Sequence, residues 1–175
     1  MRFIQAKNFT KGRISPVKHI VLHTMEAPEK PKTAENVANW FAGKSAPKAS
    51  AHYCVGADGV IQCVKDEDTA WHAPGANSTG IGIEMVGYAS QTKDQWNDSF
   101  SRTMLEHVAL LVVDIAKKHN IPLRKISADD LKVGTSGVCG HVDVSKAFGK
   151  SNHYDPGPNF PWDQFVATLR KLACG

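Results

Sequence analysis

The sequence predicts an α/β fold in which a central mixed β-sheet is flanked by helices, with residues 1–175 forming one domain. Three observations carry this reading. Short runs of β-branched and aliphatic residues alternate with longer segments of helical period. One pair of strands is joined by the tight turn signal Asp58-Gly59, an antiparallel hairpin within that alternation. A chain of 175 residues with 42% hydrophobic and 22% charged content can also bury one sizeable core. No internal repeat, low-complexity tract or linker divides it.

Residues 18–23, "KHIVLH", read as a buried strand. After the loop "APEKPK", residues 33–43 read as a helix with Thr33 as N-cap, Val37, Trp40 and Phe41 on one face, and Gly43 as stop. Residues 50–65, "SAHYCVGADGVIQCVK", form the clearest hairpin, and a turn at Asp58-Gly59 places Cys54 opposite Cys63. Residues 69–73 are a short strand or turn, 74–80 a loop and 81–88 a strand. A long helix is expected from Lys93 to His119, with Met104, Val108, Leu111, Val112 and Ile115 at helical spacing and Pro122 beyond its end. "GVCGHVDVS" (137–145) reads as a strand running into a turn. The proline-rich "HYDPGPNFPW" (153–162) is a stiff loop, because proline fixes φ and removes a donor. "WDQFVATLRKLA" (162–173) closes the chain as a helix.

Bulk properties exclude several classes. No run is long and apolar enough to span a bilayer, so no membrane insertion is expected. The N-terminal stretch has no apolar core of a signal peptide, which leads to the expectation of synthesis in the cytosol. Net charge is +4, and the lysines are scattered rather than interleaved with aromatics, so nucleic acid is not expected as a partner. The chain is expected to be monomeric. The four cysteines form no CxxC pair and are too irregular for a disulfide scaffold. Cys54 and Cys63 could bridge in an oxidising setting, and otherwise read as small buried thiols.

Four residues carry the chemistry. His23 ends the first strand, and His141 follows Gly140 at another strand end. Asp155 lies in the rigid loop, where alone it would be a turn residue before Pro156. Singly, each is unremarked. Together, two strand-end histidines and a carboxylate in a stiff loop match the His and carboxylate ligands of a catalytic zinc site. Glu84 sits inside "GIGIEMVG", on the face opposite Ile81 and Ile83. Alone it reads as a solvent-facing carboxylate, and beside a metal site it reads as a general base.

The ordered blocks "IVLHTM", "SAHYCVGADGVIQCV", "AWHAPGANSTGIGIEMVG", "GHVDVS" and "HYDPGPNFPW" resemble those of the type-2 N-acetylmuramoyl-L-alanine amidases. That family includes the zinc amidase domains of phage endolysins and the related peptidoglycan recognition proteins. The resemblance covers about Ile20 to Trp162 and implies a Zn2+ site of His23, His141 and Asp155. It implies that His153 faces the scissile carbonyl. The position of the family's catalytic tyrosine is held here by Ala51, and members without that tyrosine carry a glutamate where this chain has Glu84. Tyr53 takes the place of a packing aromatic. His52 and His72 match no ligand of the family and stand as cleft or structural histidines.

The implied reaction is hydrolysis of the amide between N-acetylmuramic acid and the L-alanine of the stem peptide. The implied substrate is peptidoglycan or a muropeptide, and the implied setting is a phage or prophage endolysin released from the host cytoplasm onto the cell wall. A zinc-free binding module, a zinc peptidase acting within the stem peptide, and a cytosolic muropeptide-recycling amidase are the rivals.

Overall fold

A computed structural model describes all residues, 1–175. In chain order the elements are β1 (Arg2–Phe3), β2 (Phe9–Thr10), β3 (His19–Thr24), α1 (Thr33–Ala42), β4 (Tyr53–Gly56), β5 (Gly59–Gln62), β6 (Thr69–Ala70) and β7 (Gly80–Met85). There follow α2 (Lys93–Trp96), α3 (Ser99–His119), α4 (Ala128–Lys132), β8 (Gly137–Gly140), α5 (His141–Phe148) and α6 (Trp162–Cys174). Six strands form a mixed sheet in the order β1-β5-β4-β7-β3-β8, and β2 and β6 form a separate two-stranded ribbon. The expected α/β architecture is present. β4 and β5 pair antiparallel, while β3 runs parallel to both β7 and β8.

Period-2 alternation in the central strands sorts the two faces. Ile20, Leu22, Ile81, Ile83 and Met85 belong to the main core, together with Met104, Val108 and Val112 of α3 and Phe165 and Leu169 of α6. Fully burying one such aliphatic side chain contributes ~1.5–3 kcal/mol. The alternate residues Val21 and Cys139 join a smaller cluster with Ile126, Leu131 of α4 and Val144 of α5. Helices therefore cover both faces of the sheet, as parallel strands require.

Five local expectations are corrected. The hairpin turns at Ala57-Asp58 rather than Asp58-Gly59, since Gly56 pairs with Gly59. Cys54 then lies opposite Ile61, and Cys63 is diagonal to it as a free thiol with an Sγ–Sγ distance of 3.8 Å. Thr33 is the first helical residue of α1. Lys32, in the left-handed region, is its N-cap, and the Thr33 hydroxyl donates to the Pro28 carbonyl. The expected helix 93–119 is two helices. Thr92 and Gln95 make a reciprocal cap for α2, and Asp98 accepts the Ser101 amide at 2.8 Å to start α3 afresh. "HVDVS" is not a turn but the opening of α5. Trp40 also leaves the core side of α1: it is 51% exposed, whereas Ala34, Ala38 and Phe41 are buried.

One buried histidine belongs to the scaffold. His52 accepts the Gly82 amide at Nδ1 (3.0 Å), so its proton sits on Nε2, which faces the Asp68 carbonyl at 3.2 Å. The Arg13 guanidinium lies 2.7 Å from the same nitrogen. Burial first, and then the Arg13 charge, depress the pKa of His52 from 6.5 to about 3. The folded protein thus keeps His52 neutral where the unfolded chain takes up a proton. The stability this contributes is fully present above pH about 6.5 and is lost as pH falls toward 3, a change on the order of a few kcal/mol. Nitrogen-15 NMR of the metal-free protein at pH 5 should show His52 as the neutral Nε2–H tautomer. A charged His52 ring at that pH would refute this account of the scaffold.

Candidate metal centre and active-site cleft

Chain connectivity brings three distant residues together. His23 comes near the end of β3, and its parallel partner in register on β7 is Glu84. Both therefore project from the face opposite the main core. β8 lies on the other side of β3 with Leu22 opposite Gly140, so the next residue, His141, emerges beside His23 as α5 begins. The loop bearing Asp155 is pressed onto this junction. The Asp155 carbonyl accepts the Val142 amide at 3.0 Å, and its Oδ2 accepts the Thr24 amide at 3.4 Å. Two glycines permit the approach: a Cβ on Gly140 would meet Pro156 Cδ at 2.6 Å, and one on Gly157 would collide with the Ala89 carbonyl. Gly157 also has φ +94°, a region that other residues rarely adopt.

His23 Nδ1 lies 3.3 Å from Asp155 Oδ2, and His141 Nδ1 lies 3.5 Å from Asp155 Oδ1. All three residues are buried, and their donor atoms fall within 4.8 Å of one another. Two imidazole nitrogens and one carboxylate oxygen form a donor set that suits a divalent transition metal. The outer nitrogens are also held. His23 Nε2 is 3.0 Å from His72 Nδ1, and His141 Nε2 is 3.2 Å from Ser151 Oγ.

The electrostatics follow from burial. Burial disfavours the charge on His23, but its hydrogen bond to Asp155 and the charges of Glu84 and Asp155 outweigh this and raise its pKa. Burial and the neighbouring His23 depress His141 to about 3. Burial and then His23 likewise hold His72 well below the ordinary histidine range. For Asp155, burial is overcome by the hydrogen bond and charge of His23 and by His141, and its pKa is lowered. Glu84 differs. Burial lifts its pKa to about 7 against the pull of His23, and its Oε2 is buried with no hydrogen-bond partner.

These groups open into a cleft of about 740 Å³. Its walls include Trp40 and Phe41 of α1, Trp71, and Tyr154 beside the Asp155 loop. Trp40, Trp71 and Tyr154 are partly exposed along it.

Comparison with known proteins agrees with this geometry. The family model described as N-acetylmuramoyl-L-alanine amidase matches residues 13–158. The chain belongs to the N-acetylmuramoyl-L-alanine amidase family. It is 30% identical to N-acetylmuramoyl-L-alanine amidase A of Achromobacter lyticus over 154 residues, covering 83% of this chain and 79% of that protein. It is 26% identical over 152 residues to the amidase AmiD of Escherichia coli (strain K12), covering 77% of this chain and 49% of AmiD, about half its length. The solved structure of Staphylococcus aureus hydrolase AmiA in complex with its ligand superposes with a TM-score of 0.74 at 17% identity, covering 98% of this chain and 82% of that one. That last likeness speaks to the fold. The protein is thus a peptidoglycan amidase with an amidase fold.

Within this amidase the five residues singled out from sequence converge. His23, His141 and Asp155 form the donor cluster, and Glu84 stands beside it. His153 lies over it, stacked on His141 at 4.3 Å with its Nδ1 3.5 Å from Asp155 Oδ1 and its side chain 60% exposed. Glu84 is half-buried in the cleft with its Oε2 shielded, rather than the freely solvated strand carboxylate that its pattern alone suggests. Sequence reasoning left Ser151 and His72 unassigned. The available sign was "GIGIE", where glycine at alternate positions leaves one face of β7 flat for another side chain to cover.

Glu84 is the group to titrate. In chelator-treated amidase its carboxyl should protonate near pH 7, well above an ordinary glutamate. Carbon-13 NMR of glutamate-labelled protein, with Glu84→Gln as the assignment control, measures this. A midpoint near 4.5 would show that the carboxylate is solvated after all.

Proposed function

We propose that this protein is a zinc-dependent amidase of the cell wall that hydrolyses the bond between the lactyl carbonyl of N-acetylmuramic acid and the L-alanine of the stem peptide. His23, His141 and Asp155 would hold the metal, Glu84 acts as general base, and His153 addresses the carbonyl. The observation that carries this reading is the buried, unpartnered oxygen of Glu84, on the strand next to His23 and in the same cleft as the three convergent donor atoms. A carboxylate oxygen shielded from solvent without a partner is costly and has a use where a proton must be accepted. Zinc in a set of two histidines and one carboxylate supplies Lewis acidity toward a carbonyl and lowers the pKa of water.

The chain's own groups divide the remaining work. Glu84 accepts a proton from the attacking water as the new C–O bond forms. The C–N bond then breaks, and Glu84 returns that proton to the departing amine of L-alanine. His153 donates a hydrogen bond to the carbonyl oxygen as negative charge develops there. No serine or cysteine nucleophile is involved; the neighbouring Cys139 is buried, and burial raises its pKa far above neutrality. Trp40, Trp71 and Tyr154 present partly exposed aromatic faces that can pack against sugar or peptide. An open cleft of this kind supports action on polymeric peptidoglycan, the work of a phage or prophage endolysin. A recycling amidase would act on soluble muropeptides instead.

Purified protein should hold about one zinc per chain, by elemental analysis. His23→Ala, His141→Ala and Asp155→Ala should each lose metal and activity together. Digested sacculi should release peptides with a free L-alanine amine and leave glycan strands intact by mass analysis. Cleavage within the stem peptide would overturn the bond assignment, and cleavage of soluble muropeptides alone would favour recycling.

Glu84→Gln keeps shape and removes only proton acceptance. Zinc content and folding should survive while turnover falls by roughly 10²–10⁴-fold. His153→Ala should also retain zinc, with turnover lowered by roughly 10²–10³-fold, the usual worth of a donor to a developing oxyanion. If His153→Ala strips the metal while Asp155→Ala does not, the third ligand is His153.

A further inference from the structure

We propose that His72 is a positioning residue that fixes which ring nitrogen of His23 is free to coordinate metal. This rests on the reading of His23 as a zinc ligand. His23 presents Nδ1 to Asp155 Oδ2 at 3.3 Å and Nε2 to His72 Nδ1 at 3.0 Å. A coordinating imidazole is neutral, so binding through Nδ1 leaves the proton of His23 on Nε2. His72 Nδ1 is the atom placed to accept it. His72 then carries its own proton on Nε2, which is buried and has no acceptor.

That orphaned N–H shows what the ring is for. A residue serving only as packing would be better as a hydrocarbon, because an unpaired buried donor is a net cost. An imidazole is retained here although one of its two nitrogens is unsatisfied, and the satisfied nitrogen is the one against His23.

The surroundings hold His72 in place from several sides. Asn77 Oδ1 accepts the amides of His72 at 2.9 Å and Ala73 at 2.7 Å, which clamps the backbone. The ring lies flat on β7. A Cβ on Gly82 would meet His72 Cγ at 2.5 Å, and one on Gly80 would meet its Nε2 at 3.1 Å. The stretch Trp71–Glu84 thus supplies the orienting ring, its clamp, its floor and the adjacent carboxylate in one pass of the chain. His141 has a smaller counterpart in Ser151, which in turn is 2.7 Å from Ser145 Oγ.

The test is zinc affinity, measured by competition with a chromophoric chelator on the full chain, for wild type, His72→Ala, His72→Asn and His23→Ala. Asparagine places an amide oxygen near the position of the lost Nδ1. His72→Ala should bind zinc 10–100-fold more weakly, the usual loss when such a partner is removed. His72→Asn should recover to within a few-fold of wild type. Nitrogen-15 NMR of the zinc-loaded wild type should show the His23 proton on Nε2. The proposal is overturned if His72→Ala, folded by circular dichroism, binds zinc as tightly as wild type. It is equally overturned if His72→Asn is as weak as His72→Ala, or if the His23 proton lies on Nδ1. Should His72→Ala not fold, the asparagine variant and the tautomer decide. Equal zinc binding by wild type and His23→Ala would instead overturn the ligand assignment of His23 itself.

Discussion

Strands β3 and β7 run parallel with His23 opposite Glu84, and a slip of either strand by one residue would send its group to the other face. The register is held by the residues between. Ile20 and Leu22 face Ile81 and Ile83, and all four are fully buried in the main core. Shifting them would bring polar groups into contact with α3 and α6 and turn four aliphatic side chains away. The apolar face therefore specifies the position of the polar one. His141 inherits its position from the same strand, because β8 pairs with β3 up to Gly140 and α5 begins at the next residue.

On this frame the protein concentrates groups that repel solvent-free charge. His23, His72 and His141 cluster with Asp155 and Glu84 in a space where few carry full hydration. The arrangement is tolerable because charge is shared unevenly. Asp155 stays ionised against His23, while His141 and His72 stay neutral and Glu84 is poised near pH 7. A bound cation would favour the carboxylate forms and satisfy donor atoms that otherwise face each other.

Legibility in the sequence followed the range of the interactions. The α/β architecture, the strands at β3 and β7 and the closing helix were readable, because local periodicity reports which face is buried. The turn of the hairpin was missed by one residue, since Asp58-Gly59 and Ala57-Asp58 compete and the register is decided by pairing with β7 as well as by the turn. The break between α2 and α3 was written in Thr92, Gln95 and Asp98, yet helical spacing of apolar residues ran through it. The donor set came from resemblance rather than spacing, because 118 residues separate His23 from His141. What no local pattern held was the environment of Glu84: it is half-buried with Oε2 shielded from solvent, in a cleft whose lining comes from other parts of the chain.

The glycines of β7 join these scales. Gly80 and Gly82 weaken a strand, since glycine loses more chain entropy than other residues and packs nothing of its own. Gly80 precedes Ile81 and Gly82 separates it from Ile83, an alternation that leaves the core face intact and empties only the other. Into that emptied face fits the ring of His72, which no side chain larger than hydrogen would allow. Gly82 also donates its amide to His52, the neutral histidine beneath. A strand built for stability would fill those two positions. This one leaves them open, and the space so made holds an imidazole against the back of His23. Backbone composition in β7 thus bears directly on the geometry of the donor cluster, one strand away.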